Sequence, residues 1–391
     1  MRVIAMTTEL DVTRGGKQRS MLDVCRQLTA RGHEINLLYL KNGDLHQNYA
    51  EFCPQIHRIH THDINKRDWR SLVRFGQSVF SLAHQLAPAQ RSISAHTPAV
   101  IYLDDHMLSL FGYGLGLRLG LPVVFHIRQP VVQPMPQQYQ FPLRRLDQFI
   151  TVSQQVQQDW ATVGLPRDRI QVVHNGIDPA RFQPGDPAAR KQAIGLSPQT
   201  RVITYLGRLD PGKGLETLIA AIAHLAQAHP EPPIQVDIIG RPVLHPSREA
   251  AQAYVATLKT QAQTQGVGDV IAFQPFVADP LPIYQRSDLV ILPSTYPEPF
   301  GRTVIEAMAC GVPAIGSHNG GIPEILTGEF AAGLFPPGDA SALADRLHTW
   351  LHWRDRDPVL GDRARHHVQQ RFSLTHTVEH IESILHTWAR L

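Results

Sequence analysis

The feature that most constrains this chain is a rhythm. Short apolar runs alternate with helical patterns, twice over, and a proline-broken segment separates the two series. In the first series, runs at 2–6, 35–40, 99–103, 122–127, 148–152 and 170–173 read as strands. Between them lie a helix carrying Met21, Leu22, Val24, Cys25 and Leu28 at helical spacing, and helical stretches at 69–86 and 107–119. Residues 175–199 then break the pattern with Pro179, Pro184, Pro187 and Pro198, as an interdomain connection would.

The alternation restarts with strands at 202–206, 235–239, 270–273, 289–292 and 313–316. Helices are expected at 216–228, 249–265, 301–309, 322–326 and 341–353. Strands alternating with helices imply mostly parallel sheets covered on both faces. A chain of 391 residues also exceeds one comfortable core. The expectation is an α/β chain of two doubly wound domains, 1–184 and 185–373. The last stretch, 374–391, reads as a helix whose stripe of Val378, Ile381, Ile384, Leu385 and Trp388 needs a groove to cover it.

Composition narrows the class. With 43% hydrophobic and 18% charged residues, the chain is ordinarily globular. Cys25, Cys53 and Cys310 have no ligand-like spacing and read as reduced thiols. The apolar run at the start is too short for a signal peptide, and no run approaches a membrane span, so a cytoplasmic location is expected. The net charge of +3 is uneven, since residues 1–150 carry 17 Lys and Arg against 11 Asp and Glu. Lys66, Arg67, Arg70 and Arg74 give the helix at 69–86 a basic rim beside its apolar stripe. Core packing is the favoured reading of that stripe. The rim keeps open a weak, peripheral association with the inner face of a membrane. No nucleic-acid partner is expected.

The chemistry-bearing residues cluster in the second series. Glu298 follows the strand at 289–292, and Glu306 lies inside the helix that opens near Gly301. Two acids thus flank a helix N-terminus, where free N–H groups and the helix dipole favour an anion. That suits a ligand with hydroxyls at both ends and negative charge between. The strand at 202–206 runs into Gly207-Arg208-Leu-Asp-Pro-Gly-Lys213-Gly214, placing two cations where a parallel sheet binds ligands. The spacing fits neither a P-loop nor a dinucleotide fingerprint. Asp104-Asp105-His106 is the nearest approach to a metal-binding acid pair and reads as a solvated loop. His57, His60 and His62 lack carboxylate or cysteine partners, so no metal is expected there either. His126, on an apolar strand, would ordinarily be a satisfied core histidine.

The strings GRLDPGKG, FQPFV and PSTYPEPFGRTVIEAMACGVPAIGSHNGGIPEI together resemble the retaining glycosyltransferases of GT-B fold, family four (group 1). GGKQRSMLDVCRQLTARGHEI, VVFHIR, TVSQQV and VVHNGID extend the resemblance, in the family's order, over essentially the whole chain. It implies two Rossmann-like domains facing across a cleft, with acceptor in the first, sugar nucleotide in the second and the final helix returning to the first. It also implies roles. Glu298 would hold donor-sugar hydroxyls, and the Phe300-Gly301-Arg302 turn would touch sugar and phosphate. Glu306 would bind the ribose, Arg208 and Lys213 the diphosphate, and Phe276 and Val277 would lie beside the base. Gly15 and Gly16 would approach the diphosphate, and His126 the reacting sugar.

Two positions depart from the family's pattern. Arg241-Pro242 replaces a Gly-Asp-Gly-Pro, and Phe273-Gln-Pro275 replaces a Phe-x-Gly. Both border the base pocket, so UDP and GDP both stay open as the nucleotide. The expected activity is retaining, metal-independent transfer of a hexosyl group from a nucleoside-diphosphate sugar, with no cofactor. The acceptor would be a sugar, a lipid-linked sugar or a small metabolite. The alternatives are an inactive nucleotide-sugar sensor, or an epimerase or phosphorylase on the same fold. No residue reads as a convincing covalent nucleophile, Glu298 being the least unlike one.

Overall fold

A computed structural model describes residues 1–59, 98–131, 135, 137–228 and 233–389, with a few isolated positions between 73 and 84. The chain divides into two compact units, Met1–Asn175 with Leu374–Leu391, and Gly176–Ser373. The expected boundary at 184/185 therefore lies inside the second unit. Residues 176–184 join it through specific bonds. Ile177 N donates to Phe372 O at 2.8 Å, and Arg365 donates to the carbonyls of Phe182 and Pro179 at 2.8 and 3.3 Å.

The first unit is built on a seven-stranded sheet of order β3-β2-β1-β4-β5-β6-β7. Its strands are β1 Arg2–Glu9, β2 Glu34–Lys41, β3 Gln55–Arg58, β4 Ala99–Leu103, β5 Val123–Ile127, β6 Gln148–Thr151 and β7 Ile170–Val172. The central strands β4 and β5 are buried at every residue, which is why they read as unbroken apolar runs. Edge strand β3 went unread because Gln55-Ile-His-Arg58 carries a single aliphatic side chain. The helix Leu374–Trp388 buries Leu374, Val378, Ile381, Ile384 and Leu385 within this unit. Arg31 and His33 pair with its Glu382 at 2.7 and 2.5 Å. Of the helix read at 69–86, only positions 73, 76, 77, 80, 81 and 84 are described, and these are helical and exposed; His60 and His62 lie outside the described residues. Among the described residues, no helix is long and apolar enough to cross a membrane.

The second unit has a six-stranded sheet of order β10-β9-β8-β11-β12-β13. Its strands are β8 Arg201–Leu206, β9 Ile234–Ile239, β10 Ile271–Gln274, β11 Leu289–Leu292, β12 Ala314–Ser317 and β13 Leu334–Phe335. All the strand pairings in both sheets are parallel. In each sheet the winding reverses once, between β1 and β4 and between β8 and β11. The loops leaving those strands diverge at their carboxyl ends, which opens a crevice for a ligand.

The opposite end of the second sheet is pinned by one buried acid. Asp288, just before β11, is fully buried and accepts from Lys191 Nζ at 2.7 Å, Val202 N at 2.8 Å and Arg354 Nε at 2.6 Å. Lys191 is itself 2% exposed, so the pair is withdrawn from water and each charge depends on the other. Asp288→Ala should leave Lys191 buried without its counter-charge and destabilise the second unit by about 3–5 kcal/mol. Urea unfolding checks this; a midpoint within error of the wild type would show that Lys191 and Arg354 find other partners.

Candidate functional site

At the carboxyl ends of β8 and β11 the second unit gathers a cluster of charge. Pro211 and Gly212, at φ +85°, form the middle of a turn closed by Lys213 N donating to Asp210 O at 3.1 Å. Proline second and a left-handed glycine third is the type II pattern. The turn delivers Lys213 to Glu298, and their side chains form a buried ion pair. Ser294 Oγ donates to the same carboxylate oxygen, Oε1, at 2.5 Å. Lys213 Nζ also lies over the Tyr296 ring, 4.7 Å from its centroid. Arg208 reaches the same phenol, Nη2 donating to Tyr296 Oη at 3.5 Å.

The backbone of Glu298 is held as firmly as its side chain. Gly321 N donates to Glu298 O at 2.8 Å, and a Cβ on Gly320 would lie 2.1 Å from that oxygen, so only glycine fits there. Ser317 Oγ at the end of β12 donates to Ser294 O at 2.7 Å.

These contacts set the protonation states. Burial pushes the Glu298 carboxyl up, but the Lys213 charge, the bonds from Lys213 and Ser294 and the Arg208 charge outweigh it and hold it below the usual range. Burial likewise lowers Lys213, and Glu298 with Tyr296 more than reverse that, raising it. The cluster is therefore a carboxylate and an ammonium at neutral pH.

The second acid is placed differently. The helix Arg302–Ala309 begins after Gly301, whose left-handed backbone caps it. Glu306 is 6% exposed, accepts from Tyr284 Oη at 2.8 Å and pairs with Arg302 at 3.2 Å. Burial, then the Glu306 charge, pushes the Tyr284 phenol well above its ordinary range. Phe300 is 2% exposed and packs edge-on against Phe372, with centroids 5.6 Å apart. Phe276 and Val277 sit half-buried in the loop after edge strand β10, with β9 between that strand and β8. The structure thus joins Lys213, Glu298 and Arg208 in one cluster and Arg302 with Glu306 in another. Sequence reasoning missed Ser294, Tyr296, Asp210 and Tyr284. The first two stand in the same Pro293–Ile325 block as Glu298, and a polar side chain just after a buried strand was the available signal.

The first unit has its own polar cluster at the ends of β1, β4 and β5. The reading of Asp104-Asp105 as a solvated loop is wrong, since both are buried, at 0% and 6% exposure. Thr7 Oγ1 donates to Asp104 at 2.8 Å and Lys17 Nζ to Asp105 at 2.5 Å, which is what lets the pair leave water. Burial raises Asp104. It acts on Asp105 too, but there Lys17 and His106 prevail and hold the carboxyl low. Gly15 caps the helix Gly16–Ala30, whose first turn carries Lys17.

His126 is 1% exposed on β5, and its Nδ1 lies 2.6 Å from Tyr102 Oη. Arg128 Nη2 donates to that phenol at 2.9 Å, so the phenol's own hydrogen goes to His126. This assigns the tautomer with hydrogen on Nε2, an atom that completes no hydrogen bond within the protein. Burial and the Arg128 charge push the imidazole well below its ordinary range. His126 is therefore a neutral donor, not a base.

Among the described residues, His33, Glu382 and His386 bring metal-type ligand atoms within 4.8 Å of one another. Glu382 is already divided between His33 and Arg31, so its two oxygens are satisfied by side chains rather than by a metal ion.

The pH response of the second cluster follows from these shifts. Glu298 has a lowered folded value, so its contribution to stability is complete above about pH 4.3, the unfolded value, and is lost as pH falls through the native one. Acid unfolding of Glu298→Gln should lack that component while the wild type shows it. Parallel acid profiles for the two proteins would contradict the assignment.

Comparison with known proteins accords with this geometry. Residues 14–181 match the family model described as Glycosyltransferase Family 4, and residues 188–367 the model described as Glycosyl transferases group 1. D-inositol 3-phosphate glycosyltransferase of Nocardia farcinica is 35% identical over 223 residues, covering 55% of this chain and 47% of that protein. The protein of the same name from Rhodococcus jostii is 34% identical over 220 residues, covering 55% and 47%. The matched stretch thus spans about half the length of these curated relatives. Among solved structures, Anabaena HepE in complex with UDP superposes with a TM-score of 0.82 at 21% identity, covering 99% of this chain and 100% of that one. WaaG, a glycosyltransferase involved in lipopolysaccharide biosynthesis, gives 0.69 at 17% identity, covering 98% and 99%. The chain belongs to the group 1 glycosyltransferases, and its two parallel-sheet α/β units have the GT-B fold.

Proposed function

We propose that this chain transfers a hexosyl group from a nucleoside-diphosphate sugar to an acceptor hydroxyl, with retention at the anomeric carbon and without a metal. The observation that carries this reading is the cluster of buried Lys213 and Glu298 with half-buried Arg208 at the carboxyl ends of β8 and β11. Breaking the anomeric C–O bond leaves negative charge on the departing diphosphate. Preorganised cations in a dry site stabilise such charge far better than water does. Arg208 and Lys213 supply two, and the N-terminus of Arg302–Ala309 adds its dipole.

In this reading Lys213 is shared. Without a donor it neutralises Glu298; with one, it bridges the carboxylate and the diphosphate. Glu298 keeps an acceptor edge for sugar hydroxyls; Glu306, whose two oxygens accept from Tyr284 and Arg302, offers the ribose their remaining lone pairs, with Phe300, Gly301 and Arg302 forming the turn between the two acids. Phe276 and Val277 lie on the base side. Gly15, Gly16 and His126 belong to the acceptor-side unit, where a neutral His126 offers Nε2–H to a sugar oxygen. Retention follows if the acceptor attacks from the face the diphosphate leaves, that phosphate taking its proton. In this reading the cation chemistry at the phosphate falls to Arg208 and Lys213.

HepE was solved with UDP and with UDP-glucose, and UDP-glucose is the first donor to test, followed by GDP-linked hexoses. The curated relatives named for inositol 3-phosphate make a small polyol phosphate one acceptor class beside sugars and lipid-linked sugars. Transfer or slow hydrolysis should be detectable in a panel of nucleotide sugars, with the anomeric configuration retained by NMR. Lys213→Ala or Arg208→Ala should lower kcat by about 10²–10³, the usual cost of removing one preorganised charge donor. Turnover should persist in EDTA. Loss in EDTA with recovery in manganese would overturn the metal-free reading, and binding without turnover would favour a nucleotide-sugar sensor.

A further inference from the structure

Asp210 lies in the middle of the loop that carries both cations, yet the proposed chemistry gives it no task. It is 2% exposed. Its Oδ1 accepts from the backbone N–H groups of Val243 and Leu244, at 2.8 and 2.9 Å. Those residues belong to the loop after β9, where Arg241-Pro242 departs from the family's pattern. Arg241 O in turn accepts from Leu209 N at 2.9 Å, so the two loops are laced together. The Asp210 carbonyl opens the turn that delivers Lys213 and also accepts from Tyr254 Oη at 3.4 Å. Oδ2 lies 3.2 Å from Arg208 Nε. That last contact is one of charge, because Oδ2 completes no aligned hydrogen bond.

A buried carboxylate beside a diphosphate site is costly unless it does something specific, since it repels the ligand and needs its own partners. Here it has them. Two backbone donors satisfy Oδ1, which anchors the side chain without help from Arg208. Oδ2 is then a fixed negative point against which the guanidinium is aimed, while the lack of an aligned bond leaves Arg208 able to turn onto a phosphate. Tyr296 brackets the same guanidinium from the loop after β11. His245 packs close by, its Nε2 at 3.1 Å from Leu209 O and 3.4 Å from Asp210 Oδ1. The Tyr254 and Tyr205 phenols are the other titratable groups that feel this carboxylate's charge.

We propose that Asp210 is a positioning residue: it holds Arg208 in the orientation that meets the donor diphosphate and ties that orientation to the loop after β9. This rests on the nucleotide-sugar reading above. The loop after β9 then acts on donor affinity through Asp210 and Arg208, without touching the phosphates.

Asp210→Asn separates the two jobs. The amide oxygen still accepts from Val243 and Leu244, so the loop and the thermal midpoint should hold, whereas the charge facing Arg208 is gone. Calorimetry with UDP should show about tenfold weaker binding, the scale of one charge-assisted contact. Donor KM should rise in parallel, and kcat should change less. In an Arg208→Ala background the same substitution should add less than about twofold, since the two residues act as one unit. Losses that multiply, or an Asp210→Asn protein that binds UDP as well as or better than the wild type, would overturn the proposal. The Arg208 Nε–H resonance in ¹⁵N-labelled protein gives a readout independent of any ligand. Its chemical shift should move in Asp210→Asn as the facing charge disappears, and an unmoved signal would sink the proposal. Should the wild type bind and turn over no nucleotide sugar, the functional reading falls. The resonance then still decides whether Asp210 orients Arg208.

Discussion

Withdrawing an ammonium and a carboxylate from water costs several kcal/mol for each ion, and their attraction offsets this only when further bonds complete the geometry. The Lys213–Glu298 pair meets that condition through Ser294 on the carboxylate and Tyr296 under the ammonium. Meeting it requires two loops from different strands to arrive together. β8 and β11 are neighbours in the sheet although 82 residues of sequence separate the end of one from the start of the other. The Pro211-Gly212 turn, the close approach of Gly320 to the Glu298 backbone and the Ser317–Ser294 bond all restrict where those loops can go. The ion pair is thus less a source of stability than a constraint that the loops satisfy together.

A different use of buried charge appears at the other end of the same sheet. Asp288 takes two cations and a backbone N–H and offers nothing to a ligand, since its partners use both oxygens. At the strand ends that carry the site, both contacts on Glu298 converge on Oε1, and the Arg208–Asp210 contact lacks an aligned hydrogen bond. The Asp288 carboxylate is saturated, and the carboxylates of the rim keep unused hydrogen-bonding capacity. That asymmetry separates a structural ion cluster from one built to receive a ligand more surely than burial does, because both are buried.

The legibility of the fold followed burial. β4, β5 and β11 are enclosed on both faces, so their sequences are continuous apolar runs, and β11 spans Leu289–Leu292 just as the hydrophobic run does. Edge strands β3 and β13 escaped notice because an edge needs little apolar surface and β13 has only two residues. In the site, Glu298, Arg208, Lys213 and Glu306 could be named from their positions at strand and helix ends. Their partners could not. Lys17 meets Asp105 across 88 positions and Lys213 meets Glu298 across 85, and local pattern carries no information at that range. The acid pair Asp104-Asp105 was misjudged for this reason: two adjacent carboxylates read as solvated until the cation that buries them is known.

The same logic bears on what the first unit can do. His126, Tyr102 and Arg128 form a chain in which each hydrogen is assigned by the next. Arg208 meets Tyr296 and the charge of Asp210, and Lys213 meets Glu298, whereas Arg128 is engaged by a phenol and by Met21 Sδ, at 2.9 and 3.8 Å. The result is a neutral imidazole presenting one N–H from a buried strand. A neutral donor suits a sugar oxygen, whose charge changes little on binding. In the proposed reading, the charge of a leaving diphosphate is met by the cations of the second unit, Arg208 and Lys213. In that reading the acceptor's proton goes to the departing phosphate, because an imidazole held well below its ordinary range is a poor base for it.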